Sequence, residues 1–178
     1  MKFHGSGGST AFGSVDDVMP NAYEEAWDII DTDGTATSGS PTVIGGGSGA
    51  NMFVYTSPDF GGATLKAALV PSGNAAAAYT YTDFAIAVSP EAIEGLTVGY
   101  ANGDNNEQVL VTNGLATASA AGADIENTSM FIKYAFDSFT IGMQDNESDS
   151  TTANADTSYR GYGVSYAVSE DISVSYGV

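Results

Sequence analysis

The residues with chemical potential in this chain are few, and nearly all are carboxylates. Glu24 and Asp28 stand four apart and Asp31 follows three later, so a helix would set them on one stripe. Asp16, Asp17, Glu25 and Asp33 extend the cluster. Two close carboxylates could trade a proton as an acid–base pair, but helix-surface acids at this spacing are ordinarily solvated. Histidine occurs once, at His4, and cysteine is absent, which leaves no thiol nucleophile, no thiolate metal site and a poor start for a Ser-His triad. There is no G-x-S-x-G and no P-loop; Gly45 to Gly49 is a flexible run. An enzyme is therefore the weakest reading, and no cofactor is expected. Asp31-Thr32-Asp33-Gly34 and Asp104-Asn105-Asn106-Glu107 are oxygen-rich, as hard cations require, yet neither has EF-hand spacing. Both are read as plain turns, with loop-bound calcium as the alternative.

The composition narrows the partners. Four Lys+Arg against 22 Asp+Glu in 178 residues give a net charge of -18. A chain so acidic lacks the cations that bind phosphate, so nucleic acid is excluded as a partner, as is electrostatic docking on an anionic lipid surface. Charged residues are only 15% of the chain, against roughly 25% in ordinary globular domains. No apolar run reaches the roughly 18–20 residues of a membrane helix, a test that does not reach β-barrels.

The elements that must position these residues are strands. From Ala50 onward the apolar period is two. Phe53 and Tyr55, then Leu65, Ala67 and Leu69, then Leu96, Val98 and Tyr100 alternate with smaller or more polar neighbours. So do Met130, Ile132, Tyr134 and Phe136, then Phe139, Ile141 and Met143, then Tyr162, Val164 and Tyr166, then Ile172, Val174 and Tyr176. Between Ala76 and Val88 the apolar phase switches near Asp83, which predicts a bulge there. Pro58-Asp59, Asp137-Ser138 and Ser169-Glu170 read as two-residue turns and Ser89 to Gly95 as a longer one. Short and long connections tend to alternate, as in a meander of hairpins.

Charge placement separates a soluble sandwich from a membrane barrel. By this reading 21 of the 22 acids fall in loops, turns or the N-terminal segment, with Asp83 the exception. The less apolar strand face is Gly, Ser, Thr and Ala rather than the Lys, Glu and Gln of a water-facing sheet. Lipid-facing apolar residues, aromatic girdles and a small-residue lumen fit a transmembrane β-barrel. Lys66 and Lys133 fall on the small-residue face and should point into the lumen, or else pair with a loop acid. Arg160 is in phase with Tyr162 and should reach toward a membrane boundary.

Residues 5–49 break the strand rhythm. Within them, Ala22 to Ile30 has helical spacing: Tyr23, Trp27 and Ile30 make an apolar stripe beside the acidic one, and Asn21 with Glu24 stand as in a capping box. On its own this is a solvated loop helix. Folded inside a barrel, the same carboxylates would line the pore.

Phe12-Gly-Ser-Val-Asp-Asp-Val-Met-Pro-Asn-Ala-Tyr-Glu-Glu-Ala-Trp-Asp resembles the long third loop of Gram-negative outer-membrane porins of the alphaproteobacterial type. Asn51 to Gly62 resembles the strand–turn–strand that follows that loop, and Tyr162 to Tyr176 the repeated porin hairpin. The resemblance implies an all-β antiparallel meander from a transmembrane β-barrel: about eight strands, plus a stub at Met1 to His4, of a larger, 16-stranded or similar barrel. It makes 1–178 one partial barrel, with 5–49 as the inward-folded constriction loop carrying a short helix and 50–178 as hairpin strands. No apolar leader follows Met1 and no terminal aromatic residue closes the chain, so a fragment is expected. The implied protein is a homotrimer in outer-membrane lipid that passes ions and small hydrophilic solutes by diffusion. Its pore-lining residues would be Asp16, Asp17, Glu24, Glu25, Asp28, Asp31, Lys66 and Lys133. The field of those acids, focused by a low-dielectric wall, predicts a preference for cations. The competing reading is a secreted or cell-surface acidic β-domain that binds calcium or glycans.

Overall fold

The computed structural model describes residues 1–5, 9–15, 18–20, 52–71, 79–107, 110–112, 115–117, 125–151 and 156–178. The strands are β1 (Lys2–His4), β2 (Met52–Thr56), β3 (Ala63–Val70), β4 (Tyr79–Val88), β5 (Leu96–Glu107), β6 (Leu110–Thr112), β7 (Leu115–Thr117), β8 (Ile125–Phe136), β9 (Phe139–Ser150), β10 (Thr157–Ala167) and β11 (Ser173–Gly177). Nine of them form one antiparallel sheet in the order β1-β2-β3-β4-β5-β8-β9-β10-β11. The short β6–β7 hairpin pairs with itself in the connection between β5 and β8. The sheet is a meander, as the alternating sequence requires, and it is not closed: β1 and β11 are its edges. Open edges of this kind are consistent with part of a barrel, since only closure removes them.

The connections sort by end. Residues 57–62, 89–95, 137–138 and 168–172 join strands at one end of the sheet, and the remaining connections, most of them longer, join them at the other. Asp137 and Ser138 make the one two-residue turn among these, with Asp137 at φ 52, a left-handed position that Asp tolerates. The turns expected at Pro58-Asp59 and Ser169-Glu170 are longer because each closes on its own backbone: Phe60 N donates to Ala63 O at 2.9 Å, and Val168 N to Ile172 O at 2.8 Å. Gly95 sits at φ 83 against Ala135 O, where no side chain fits.

Two expectations need correction. No bulge interrupts β4: its register with β3 runs unbroken from Ala63↔Val88 to Val70↔Tyr81, and with β5 from Val88↔Val98 to Tyr79↔Glu107. The phase switch arises because Tyr81 shares the face of Asp83 and hydrogen-bonds to it. The strands also overrun the alternating runs. Asp104, Glu126, Asp145, Glu147 and Asp149 lie in β5, β8 and β9 rather than in loops. Asp104-Asn105-Asn106-Glu107 is thus the end of a strand and no turn.

The faces of the sheet differ sharply. Phe53, Leu65, Phe84, Ile86, Tyr100, Met130, Ile132, Ile141, Tyr162 and Val174 are all exposed on one face. Toward the short turns that face carries a run of rings: Tyr134–Phe136 at 5.6 Å, Phe136–Phe139 at 5.5 Å and Phe139–Tyr166 at 4.5 Å between centroids. The strand carboxylates named above continue the same face toward the long loops. Among the described residues no second sheet covers it. A lipid-facing band predicts that Ile132→Arg costs about 2–4 kcal/mol and sharply lowers the yield of folded barrel in lipid vesicles, read by gel mobility. Thr97→Glu, on the opposite face beside its register partner Lys133, should fold normally.

Candidate functional site

The inner face is crossed by the chain that leaves β1. Residues 9–15 and 18–20 run as a strap over the sheet, with a 3₁₀ turn at Phe12–Ser14. Thr10, Ala11, Phe12, Val15 and Met19 are buried by it. Ala11, Phe12 and Val15 form one apolar cluster with Ala68, Ala85, Ala101 and Phe131 of the wall, flanked by Val18 and Val54. The strap is held in two places. On β4, Asp83 is only 6% exposed. Its Oδ1 accepts the Ala11 N–H at 3.1 Å and its Oδ2 the Phe12 N–H at 2.9 Å, while the Tyr81 hydroxyl donates to Oδ2 at 3.2 Å. A buried carboxylate is tolerable because these donors replace its water. They also satisfy two backbone N–H groups at the start of the 3₁₀ turn.

The second attachment is on β8 and β9. Gln144 Oε1 accepts the Val18 N–H at 3.1 Å and Gln144 Nε2 donates to Val15 O at 3.4 Å, while the one Ser129 hydroxyl proton is shared between Asn146 Oδ1 and, at 3.2 Å, Val15 O. Asn146 Oδ1 accepts from Ser129 Oγ at 2.6 Å and Gln144 Nε2 at 3.1 Å, which fixes both side chains. Farther along, the strap needs bare backbone beneath it. A Cβ at Gly142 would lie 2.8 Å from Pro20 Cδ, and one at Gly163 2.8 Å from Met19 Cε. Part of the small-residue face is therefore small to seat the strap.

Lys66 and Lys133 lie on this inner face, as the alternation predicts, and are half-buried. Among the described residues neither forms an ion pair. The ion pair that is seen joins Arg160 to Asp145, with Arg160 Nε 2.7 Å from Asp145 Oδ2, on the opposite, apolar face. Arg160 thus points where its phase with Tyr162 puts it, at the step from apolar to charged residues. Beside Lys66 is a recess of about 260 Å³ lined by Ser14, Thr64, Lys66, Ala85 and Ala87. Asp16, Asp17, Glu24, Glu25, Asp28, Asp31 and the helix expected over 22–30 lie outside the described residues. The anchoring residues Asp83, Ser129, Gln144 and Asn146 were not among the sequence candidates. The available signal was Asp83 itself, a lone acid inside an alternating run.

A strand stub, an antiparallel meander with one exposed apolar face, and residues 9–15 and 18–20 lying across the other face fit the barrel that the resemblance implies. The family model for Gram-negative porins matches residues 1–178. The chain belongs to the Gram-negative porin family. No curated protein and no solved structure matches it. The porin is an outer-membrane channel; its exposed apolar face is of the kind that meets lipid, and its strap lies against the opposite face. Asp83 fixes where the strap lies on that face. Asp83→Ala leaves two buried N–H groups without their acceptor, at about 1–3 kcal/mol each, and should loosen the strap. We expect noisier single-channel currents and faster proteolysis within residues 9–20, with assembly retained; Asp83→Asn, which keeps acceptor oxygen, should give the milder effect. Currents and cleavage identical to the parent's would show that the apolar cluster and the Gln144–Ser129 attachment hold the strap without Asp83.

Proposed function

We propose that this porin is a homotrimeric, water-filled channel through which ions and small hydrophilic solutes diffuse passively, with a preference for cations. The observation that carries the proposal is the pinned inward path of the strap. Val15 and Val18 are both hydrogen-bonded to the inner wall, and the two residues between them in sequence are Asp16 and Asp17. Residues 5–49 hold seven carboxylates and no Lys or Arg. A segment of that composition led into a bore brings Asp16, Asp17, Glu24, Glu25, Asp28 and Asp31 to bear on permeating ions, and a low-dielectric wall strengthens their field. Lys66 and Lys133 oppose it from the wall. Asp104, Glu126, Asp145, Glu147 and Asp149 sit on the outward face, with the sheet between them and the bore, and Asp83 is already met by the strap's N–H groups, so the loop acids dominate.

The test is the zero-current potential across a planar bilayer under a potassium chloride gradient. The expected sign is that of a cation-preferring pore. The double substitution Asp16→Asn with Asp17→Asn should lower the cation-to-anion ratio about threefold at 0.1 M salt and less at 1 M, where the screening length falls to about 3 Å. An anion-preferring parent channel would remove the preference while leaving the porin assignment intact.

A further inference from the structure

We infer that the recess beside Lys66 is a binding site for small hydroxycarboxylates on the short-turn side of the strap; the inference rests on the channel reading. The recess is built by register. Lys66 pairs across the ladder with Ala85, and Thr64 with Ala87, so two long or polar side chains of β3 face two methyl groups of β4. The alanines leave the space of about 260 Å³ open, and the strap's 3₁₀ turn places Ser14 at its margin. That volume holds a solute of a few heavy atoms with its water, at roughly 30 Å³ per water. Its polar groups are distinct in kind. Lys66 brings a half-buried ammonium that pairs with no carboxylate among the described residues. Of the other basic residues, Arg160 is committed to Asp145 on the opposite face. Thr64 brings a hydroxyl two residues from Lys66 on the same face. The Ser14 hydroxyl gives its proton to Ala11 O at 2.7 Å, so its oxygen is left to accept. An ammonium and a hydroxyl donor suit a carboxylate; an adjacent acceptor suits a hydroxyl on the same solute, while the methyl groups take its carbon. A simple halide uses the first feature alone.

Lactate, with propionate as its analogue lacking the hydroxyl, separates these contributions. In bilayers containing channels of the full-length protein, sodium lactate should block small-cation current or saturate in conductance more strongly than sodium propionate. It should do so at lower concentration from the short-turn side. Lys66→Met should weaken the lactate effect about fivefold, the scale of one partly solvated charge-assisted hydrogen bond, and Lys66→Arg should restore most of it. Lys133→Met removes the same charge from the same wall outside the recess and should shift the zero-current potential while leaving the lactate constant within about twofold. Equal losses in the Lys66→Met and Lys133→Met channels would overturn the inference, because a general field and not a site would then act on the anion. Indistinguishable lactate and propionate would overturn the hydroxycarboxylate assignment. Failure of the parent protein to conduct at all would instead strike the channel reading.

Discussion

A single buried carboxylate organises the inner face of this sheet. Asp83 forms no ion pair among the described residues; its charge is met by two backbone N–H groups and a tyrosine hydroxyl. Such an arrangement ties a segment near the start of the chain to a strand some seventy residues later. Hydrogen bonds to a charged acceptor shielded from water are directional and strong, so they fix where the strap starts its 3₁₀ turn. The apolar cluster of Phe12, Val15 and Phe131 then forms beneath it, and the Ser129–Gln144–Asn146 network receives the strap on the other side. Without that first attachment the small residues of the wall would simply be a wetted surface.

Two environments act on one ladder of strands, and the side-chain alternation keeps them apart. Outward positions carry aliphatic and aromatic residues in the middle and carboxylates toward the long loops, where the ladder has left the apolar layer. Inward positions carry glycine, alanine, serine and threonine, interrupted by lysines. Charge on the strands is thereby segregated: Lys66 and Lys133 lie on the face that the strap crosses, whereas Asp104, Glu126, Asp145, Glu147 and Asp149 lie on the other. A net charge of -18 says nothing of this division, because the sheet separates the two populations by its own thickness and screening weakens what passes around it.

Much of the architecture was legible before any coordinates. Period-two runs such as Met130 to Phe136 and Tyr162 to Tyr166 mark strands whose outward members are now seen exposed, and short turns alternating with long loops mark an antiparallel meander. Lys66, Lys133 and Arg160 point where their phase puts them. What misled was local: the switch at Asp83 resembles a bulge because two neighbouring demands, an outward Phe84 and Ile86 and an inward Tyr81 and Asp83, fall on one regular strand. Strand ends were set too early because polar residues such as Asp104 and Glu126 continue the ladder once it is in water, where hydropathy no longer reports on pairing.

By itself, then, the order of residues determined the strand class, the orientation of the side chains in the regular alternating runs outside β4, and the one-sided greasiness that marks a wall in lipid, because these follow from a two-residue repeat along a single ladder. Only the tertiary structure decided that Asp83 holds Ala11 and Phe12, that Gln144 and Ser129 hold Val15 and Val18, and that Lys66 borders a recess. These contacts join positions separated by up to about 130 residues, and no local periodicity encodes which distant backbone group a buried polar side chain will meet.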